Sequence, residues 1–158
     1  MAEGVILELH RSSPNYAKLV DEMVRMERKI FPKNESLSRT FDQELGKNNS
    51  GLLYYGVNDE VAGYVMYSCP SSLSSSITKL AVKEKYRRLG YGEALLRAAI
   101  GKCRARSIHR ISLHVDPSRT PAVNLYRKLG FRIDSLIERY YSSNRDAYRM
   151  YLEFDIDK

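Results

Sequence analysis

A short basic loop carries two glycines immediately before a helix-like run, and both features suit the binding of phosphate. The loop reads Arg-Arg-Leu-Gly-Tyr-Gly-Glu from Arg87 to Glu93, and apolar residues at helical spacing follow it. Gly90 and Gly92 let backbone N–H groups approach a ligand closely, and the amino end of a helix adds partial positive charge. Arg87 and Arg88 add full charges with forked donors. These residues predict an anion site.

Two common phosphate-binding patterns do not fit this loop. A Walker A loop needs Lys and then Ser or Thr after its last glycine, where this chain has Glu93 and Ala94. The dinucleotide fingerprint needs a third glycine, and that position is Leu95. What remains is Arg-x-x-Gly-x-Gly, which by itself also fits a turn that only packs before a helix.

The elements that position the loop follow from hydrophobic spacing. Helical spacing predicts helices over residues 16–30, 91–106 and 120–129, with a short one capped at Ser36–Ser38 and ending near Gly46. Strand-like runs occupy residues 5–9, 52–57, 61–67, 77–82, 111–115, 131 onward and 147–154. The order βααβββαβαββ predicts an α/β domain, with one mixed and mostly antiparallel sheet of about seven strands and about four flanking helices.

Composition and charge exclude several classes of protein. The 158 residues, 43% hydrophobic with no visible linker, predict a single domain over residues 1–158. The longest uncharged stretch, residues 61–78, contains six serines and a proline, and the amino end lacks a basic secretory signal, so we expect no membrane span and a cytoplasmic or nuclear location. Cys69 and Cys103 are too few for a disulfide scaffold, and we expect no metal site.

The formal charge of +7 is unevenly spread along the chain. Residues 79–110 hold ten basic and two acidic side chains, a net of +8, while the rest of the chain is almost neutral. A localised basic block indicates a polyanionic partner. Nucleic acid, a membrane surface and a phosphorylated cofactor are all compatible with the charge alone.

Two motifs together resemble the GNAT acetyltransferase superfamily. The loop is similar to that family's coenzyme A pyrophosphate loop, Arg/Gln-x-x-Gly-x-Gly/Ala. The run Asn-Leu-Tyr-Arg-Lys-Leu-Gly-Phe from Asn124 to Phe131 resembles its second motif, an Asn and a Tyr on the last helix followed by Gly-Phe. The element order matches as well, so the resemblance covers nearly the whole chain. It implies a GNAT fold, acetyl-CoA as cofactor, and transfer of acetyl directly to an amine without an acyl-enzyme.

The resemblance also implies where the cofactor lies. Two strands, at 77–82 and 111–115, would splay apart to admit the pantetheine arm, with the backbone of Leu80 and Val82 holding it. The pyrophosphate would lie on the loop, and Asn124 would touch the pantetheine arm. The residues assigned to acetyl-CoA in this way are Leu80, Ala81, Val82, Arg87, Arg88, Leu89, Gly90, Tyr91, Gly92, Glu93 and Asn124.

Two residues are candidates for the proton transfers. Tyr126 matches the family tyrosine that protonates the departing sulfur. His114 is the candidate base, because apolar residues 111, 113 and 115 share the other face of its strand and an imidazole near pKa 6.5 accepts a proton readily. Some N-terminal acetyltransferases carry a second catalytic tyrosine before the phosphate loop, where this chain has Ser76.

The acceptor is an amine, and the resemblance favours a protein or peptide N-terminus. Tyr140 and Tyr141, before the last strand, resemble the pair that binds the substrate peptide in N-terminal acetyltransferases, including the ribosomal-protein-alanine type. Phe31 and Pro32 resemble a peptide-binding loop of one such enzyme. Tyrosines are also common on edge strands for packing alone.

Other functions stay open from the sequence. The departure at Ser76 leaves lysine, arylalkylamine and polyamine acceptors as alternatives. A basic nucleic-acid-binding domain and a non-catalytic acetyl-CoA sensor are alternatives from other classes, although no nucleic-acid-binding module accompanies the basic block. We therefore expect no nucleic-acid partner, while a homodimer or an auxiliary subunit is compatible with the sequence.

Overall fold

Seven strands form one sheet, with two helices on each face. The computed structural model describes residues 4–33, 35–47, 49–71 and 75–154. Its strands are β1 (Val5–Glu8), β2 (Ser50–Val57), β3 (Glu60–Ser68), β4 (Ser75–Val82), β5 (Arg110–Val115), β6 (Arg132–Ser142) and β7 (Arg145–Glu153). Its helices are α1 (Tyr16–Ile30), α2 (Phe41–Leu45), α3 (Tyr91–Ala105) and α4 (Thr120–Lys128). The predicted order βααβββαβαββ is confirmed.

The strand order is β1-β2-β3-β4-β5-β7-β6, and β4 with β5 is the parallel pair among antiparallel neighbours. The sheet is therefore mixed and mostly antiparallel, as predicted. Asn58 and Asp59 both have positive φ in the tight turn between β2 and β3. Two such residues match the right-handed twist of the strands that a tight hairpin joins. None of the helices in the described ranges is both long and apolar enough to cross a bilayer.

Each face of the sheet carries its own hydrophobic cluster. The cluster under α1 and α2 includes Met23, Phe41 and Tyr64, all buried. The cluster under α3 and α4 includes Leu95 and Phe131. The sheet therefore lies between two helical layers, and a side chain on any central strand faces one layer or the other.

Residue 36 does not begin the second helix. Residues 38–40 form a turn instead, and α2 starts only at Phe41. One reason is that the backbone N–H of Leu37 donates to the carboxylate of Glu27, 2.7 Å away, which fixes this segment against α1. Glu27 is fully buried and also accepts the hydroxyl of Tyr64. A further short turn, Glu84–Tyr86, is a 3₁₀ helix that periodicity did not predict.

The two cysteines meet in the core between β3 and α3. The Sγ atoms of Cys69 and Cys103 are 3.3 Å apart, and both residues are buried free thiols. Burial, with the neighbouring Cys69, raises the pKa of the Cys103 thiol well above its usual range. Part of the serine-rich stretch noted in the sequence lies outside the described residues, and Ser75 and Ser76 belong to β4.

Candidate active site

The sheet opens between its two parallel strands. Strands β4 and β5 pair only at Ser75 with Ile111 and at Ser76 with Ser112. Beyond these pairs, the described residues of the two strands continue to Val82 and Val115 without pairing to each other. The facing backbone N–H and C=O groups are thus left available to a ligand. The splay that the resemblance implied is present.

The basic loop reaches the amino end of α3 at one end of this gap. Gly90 has φ +84°, in the left-handed region, and its carbonyl accepts the N–H of Ala94 at 3.0 Å as the helix begins. The N–H groups of the first turn have no acceptor within the helix, so they can bind an anion. Arg87 and Arg88 are exposed beside them, and the Nε of Arg87 donates to the carbonyl of Val82 at 3.0 Å.

The remaining loop residues differ in what they offer a ligand. The side chain of Leu89 is exposed, while Tyr91 stacks on Tyr55 with ring centroids 4.2 Å apart. Hydrogen bonds from Lys128 and Arg97 lower the pKa of the Glu93 carboxyl. Those two partners lie 2.7 and 3.1 Å from its oxygens. The carboxylate is therefore compensated, and the backbone N–H is what Glu93 offers an anion.

A cavity of about 700 Å³ occupies the gap and extends toward α1. It brings together six of the seventeen sequence-predicted site residues. These are both candidate catalytic residues, three of the four candidate peptide-binding residues and one residue assigned to acetyl-CoA, namely His114, Tyr126, Phe31, Tyr140, Tyr141 and Leu80. Pro32 and Asn124 are exposed and do not line it, and the side chain of Ala81 is buried in the cluster under α1. A larger groove of about 1000 Å³ lies between α1 and the loop after β4, but neither His114 nor Tyr126 lines it.

His114 is the candidate base. Its ring stacks on that of Tyr140, with centroids 4.4 Å apart and planes 11° from parallel. Partial burial and the nearby positive charge of Arg149 lower the pKa of His114 below its usual 6.5. The imidazole is therefore neutral at pH 7 and can accept a proton.

Tyr126 presents a proton donor from the opposite layer. It lies on α4, is only 7% exposed, and packs edge-to-face against Phe131. Burial raises the pKa of Tyr126 to about 12. The hydroxyl thus stays protonated through the neutral range, and it can donate a hydrogen bond wherever negative charge develops in the cavity.

Four charged residues that sequence reasoning missed form an ion-pair clasp beside the cavity. Glu35 lies 2.6 Å from Arg145 and 3.3 Å from Arg119, and Arg145 lies 2.6 Å from Asp116. The clasp joins the segment after α1, the loop after β5 and the start of β7. Because Glu35 and Arg145 are 110 positions apart, no local spacing predicts their contact. Lys79, which also lines the cavity, was missed as well.

Comparison with known proteins agrees with this geometry. Residues 17–131 match the model of the acetyltransferase (GNAT) family. An N-alpha-acetyltransferase from Sulfurisphaera tokodaii is 33% identical over 143 residues, covering 83% of this chain and 85% of that protein. The ribosomal-protein-S18-alanine N-acetyltransferase from Escherichia coli superposes with a TM-score of 0.83 at 22% identity, covering 99% and 97% of the two chains, and so shares the fold.

Fold and site together define an acyltransferase. The chain belongs to the GNAT acetyltransferase family, and its donor is acetyl-CoA. A GNAT acetyltransferase from Elizabethkingia anophelis, with a TM-score of 0.73 at 20% identity over 96% of this chain and 98% of that one, is solved with acetyl-CoA bound.

The residues present fit this cofactor. The unpaired edges of β4 and β5 match an amide-bearing pantetheine arm, and the first turn of α3 with Arg87 and Arg88 matches a pyrophosphate. A Cβ built on Gly90 would meet nothing within 4 Å, so this turn is open to a ligand. When bound, acetyl-CoA supplies an acetyl group activated as a thioester. The chain supplies the groups that hold it and the groups that move protons.

Proposed function

We propose that this enzyme acetylates the N-terminal α-amine of proteins or peptides, with residues 1–158 acting as one acetyltransferase domain. The observation that carries the proposal is the aromatic pair Tyr140 and Tyr141, which lines the cavity beside His114. The Sulfurisphaera relative, which is named an N-alpha-acetyltransferase and matches 83% of this chain, supports it.

The strength of the base favours an α-amine as acceptor. An α-amine has a pKa of about 8 and a lysine side chain about 10.4, so an α-amine loses its proton with far less help. His114 has a pKa below that of an ordinary histidine and is a weak base. In this proposal it accepts the proton of the attacking amine, directly or through water, and Tyr126 donates a proton to the departing sulfur.

Aromatic residues would hold the peptide. The hydroxyls of Tyr140 and Tyr141 are suited to hydrogen bonds with the peptide backbone, and the buried ring of Phe31 forms an apolar wall of the same cavity. Ser76 lines the cavity where some N-terminal acetyltransferases carry a tyrosine, so His114 would work without a second catalytic hydroxyl of that length.

A pair of matched peptides tests the acceptor. One peptide has a free N-terminus and no lysine, and the other has a blocked N-terminus and one internal lysine. We expect mass spectrometry to locate acetyl on the free α-amine alone, and Tyr126→Phe to reduce that signal strongly. Acetylation only of the lysine, or only of arylalkylamines and polyamines offered in parallel, would contradict the proposal.

A further inference from the structure

Strand β4 turns Lys79 into the cavity on the α1 side of the sheet. A β-bulge lies opposite the step from Met66 to Tyr67, and Thr78 is the extra residue. Because of the bulge, Ile77 and Leu80 both pack against the cluster under α3. Ala81 packs against the cluster under α1, and Lys79, two residues earlier on the strand, lies on the same face. The ammonium therefore lies on the same side as Phe31 and lines the cavity.

The ammonium of Lys79 forms no direct ion pair with the residues that the structure describes. Nζ of Lys79 donates to the backbone carbonyl of Glu35 at 2.9 Å and lies 4.0 Å from the centroid of the Phe31 ring. Among the described residues, this is its one hydrogen bond, and no carboxylate lies within 4 Å of it. An ammonium has three N–H donors, so two remain for a ligand.

The nearby carboxylates are already engaged elsewhere. Glu35 is held by Arg119 and Arg145, and Asp116 is held by Arg145. Arg119 also places its guanidinium 4.8 Å from the Phe31 ring, so that ring has a cation from each of two elements. Burial lowers the pKa of Lys79, although Glu27 and Glu35 act in the opposite direction. Both carboxylates act from a distance, and within the described ranges neither forms a direct ion pair with Lys79, so a ligand carboxylate could take that position.

We propose that Lys79 selects acceptors whose first residue is acidic, aspartate or glutamate. This inference rests on the proposed N-terminal acetylation and names the substrate class for it. A carboxylate on the first side chain would pair with the two open N–H donors, and a hydrogen bond between charged groups is stronger than one between neutral groups. A basic first residue would meet like charge and be rejected.

A series of peptides that differ only at the first residue tests the selection. The residues are Asp, Asn, Glu, Gln, Ala, Ser and Lys, and kcat/KM is measured for each with the wild-type enzyme. Asn and Gln are nearly isosteric with the acids, so each acid-to-amide ratio isolates the charge. We expect ratios of about tenfold or more, the size of a hydrogen bond between charged groups. Ratios near one would overturn the inference.

Variants assign the selection to this side chain. Lys79→Met retains the length of the side chain and removes its charge, and we expect it to bring the acid-to-amide ratio to about one. Lys102→Met removes one charge on α3, outside the cavity, and is expected to keep the wild-type ratio. If Lys79→Met keeps the wild-type ratio, Lys79 is not the selector.

Two safeguards separate the possible failures. If Lys79→Met melts well below the wild type, Lys79→Gln replaces it, and the wild-type peptide series decides the preference without any variant. Acetylation of lysine side chains or small amines, with no reaction at any free peptide N-terminus, would refute the proposed function instead. Acetylated peptides with no preference for acids would refute only the role of Lys79.

Discussion

In the proposed mechanism, the proton transfers are divided between the partly exposed imidazole of His114 and the buried hydroxyl of Tyr126. His114 is exposed, and one face of its ring is covered by Tyr140, so water and an amine can both reach it. The hydroxyl lies in the core under α4 with its pKa raised to about 12. The two environments move the pKa values in opposite directions, so base and acid are both in the required form near neutral pH.

Removing the Tyr126 hydroxyl should affect the rate rather than the binding of acetyl-CoA. Tyr126→Phe keeps the ring packed against Phe131 and removes only the donor. We expect kcat to fall by about two orders of magnitude, a typical contribution of one acid–base group, with the Kd for acetyl-CoA changed by less than about twofold. Steady-state kinetics and calorimetric titration check the two quantities. An unchanged kcat would remove Tyr126 from the chemistry.

The acid side of the pH–rate profile should report His114. The base works only when neutral, and a folded pKa below 6.5 keeps it neutral to lower pH than an ordinary histidine. We expect kcat/KM for a peptide to fall with a midpoint below pH 6.5. In His114→Gln the rate at pH 7.5 should drop by roughly tenfold or more and this limb should be lost. A limb unchanged in the variant would assign the titration to another group.

At the scale of elements, the site depends on how β4, β5 and α3 meet. The parallel strands β4 and β5 pair over only two residue pairs, and α3 begins after the loop that follows the unpaired end of β4. Gly63 on β3 permits this arrangement, because a Cβ there would approach the carbonyl of Ala81 to 2.7 Å. The cofactor gap thus requires close contact between β3 and β4 as well as separation between β4 and β5.

Gly90 and Gly92 should respond differently to alanine. Gly90 has φ +84°, where a Cβ costs roughly 1–2 kcal/mol although nothing lies near it. We expect Gly90→Ala to lower Tm by roughly 3–6 °C and weaken acetyl-CoA binding. Gly92→Ala is the matched control, since its Cβ would make ordinary contacts at 3.6 Å with Val82 and 3.7 Å with Leu125. Equal losses in both variants would contradict a conformational cause.

The sequence predicted elements better than contacts. Apolar spacing located α1 and α3 to within a residue or so, because each buries one continuous face. It misplaced the start of α2, because the side chain of Glu27 determines the segment before that helix through Leu37. The residues of the candidate phosphate loop are contiguous, so a local pattern is enough to propose them, and that assignment stays a prediction. The ion-pair clasp and the turning of Lys79 by a bulge depend on pairings between distant residues, which no local pattern encodes.

For the whole molecule, the net charge of +7 resolves into paired and unpaired cations. Five of the ten basic residues in the 79–110 block pair with carboxylates, namely Lys83, Lys85, Arg97, Lys102 and Arg110. Among the rest, Arg104 stacks on Phe154, while Arg87 and Arg88 remain beside the amino end of α3. About half of the positive charge in this block is therefore compensated by neighbouring carboxylates.

Acetyl-CoA should stabilise the fold, and duplex DNA should not. At a free concentration about 100 times Kd, a ligand specific to the native state adds about 2.7 kcal/mol, which raises Tm by roughly 5–10 °C for a chain of this size. Acetyl-pantetheine at the same concentration lacks the pyrophosphate and should give a smaller shift. Differential scanning fluorimetry measures the Tm with acetyl-CoA, with acetyl-pantetheine and with duplex DNA. A shift with DNA that disappears in moderate salt would support nucleic-acid binding instead.

The buried cysteine pair has a practical consequence for measuring turnover. Each acetyl transfer releases a free thiol on coenzyme A, which disulfide reagents detect by colour. The two protein thiols, both buried and one with a raised pKa, are poor nucleophiles in the native state and should add almost no background. They should react fully once denaturant is added. The rate of any slow reaction in the native state would then measure how often α3 separates from β3. If acetyl-CoA binds at the amino end of α3 as proposed, it should slow that reaction.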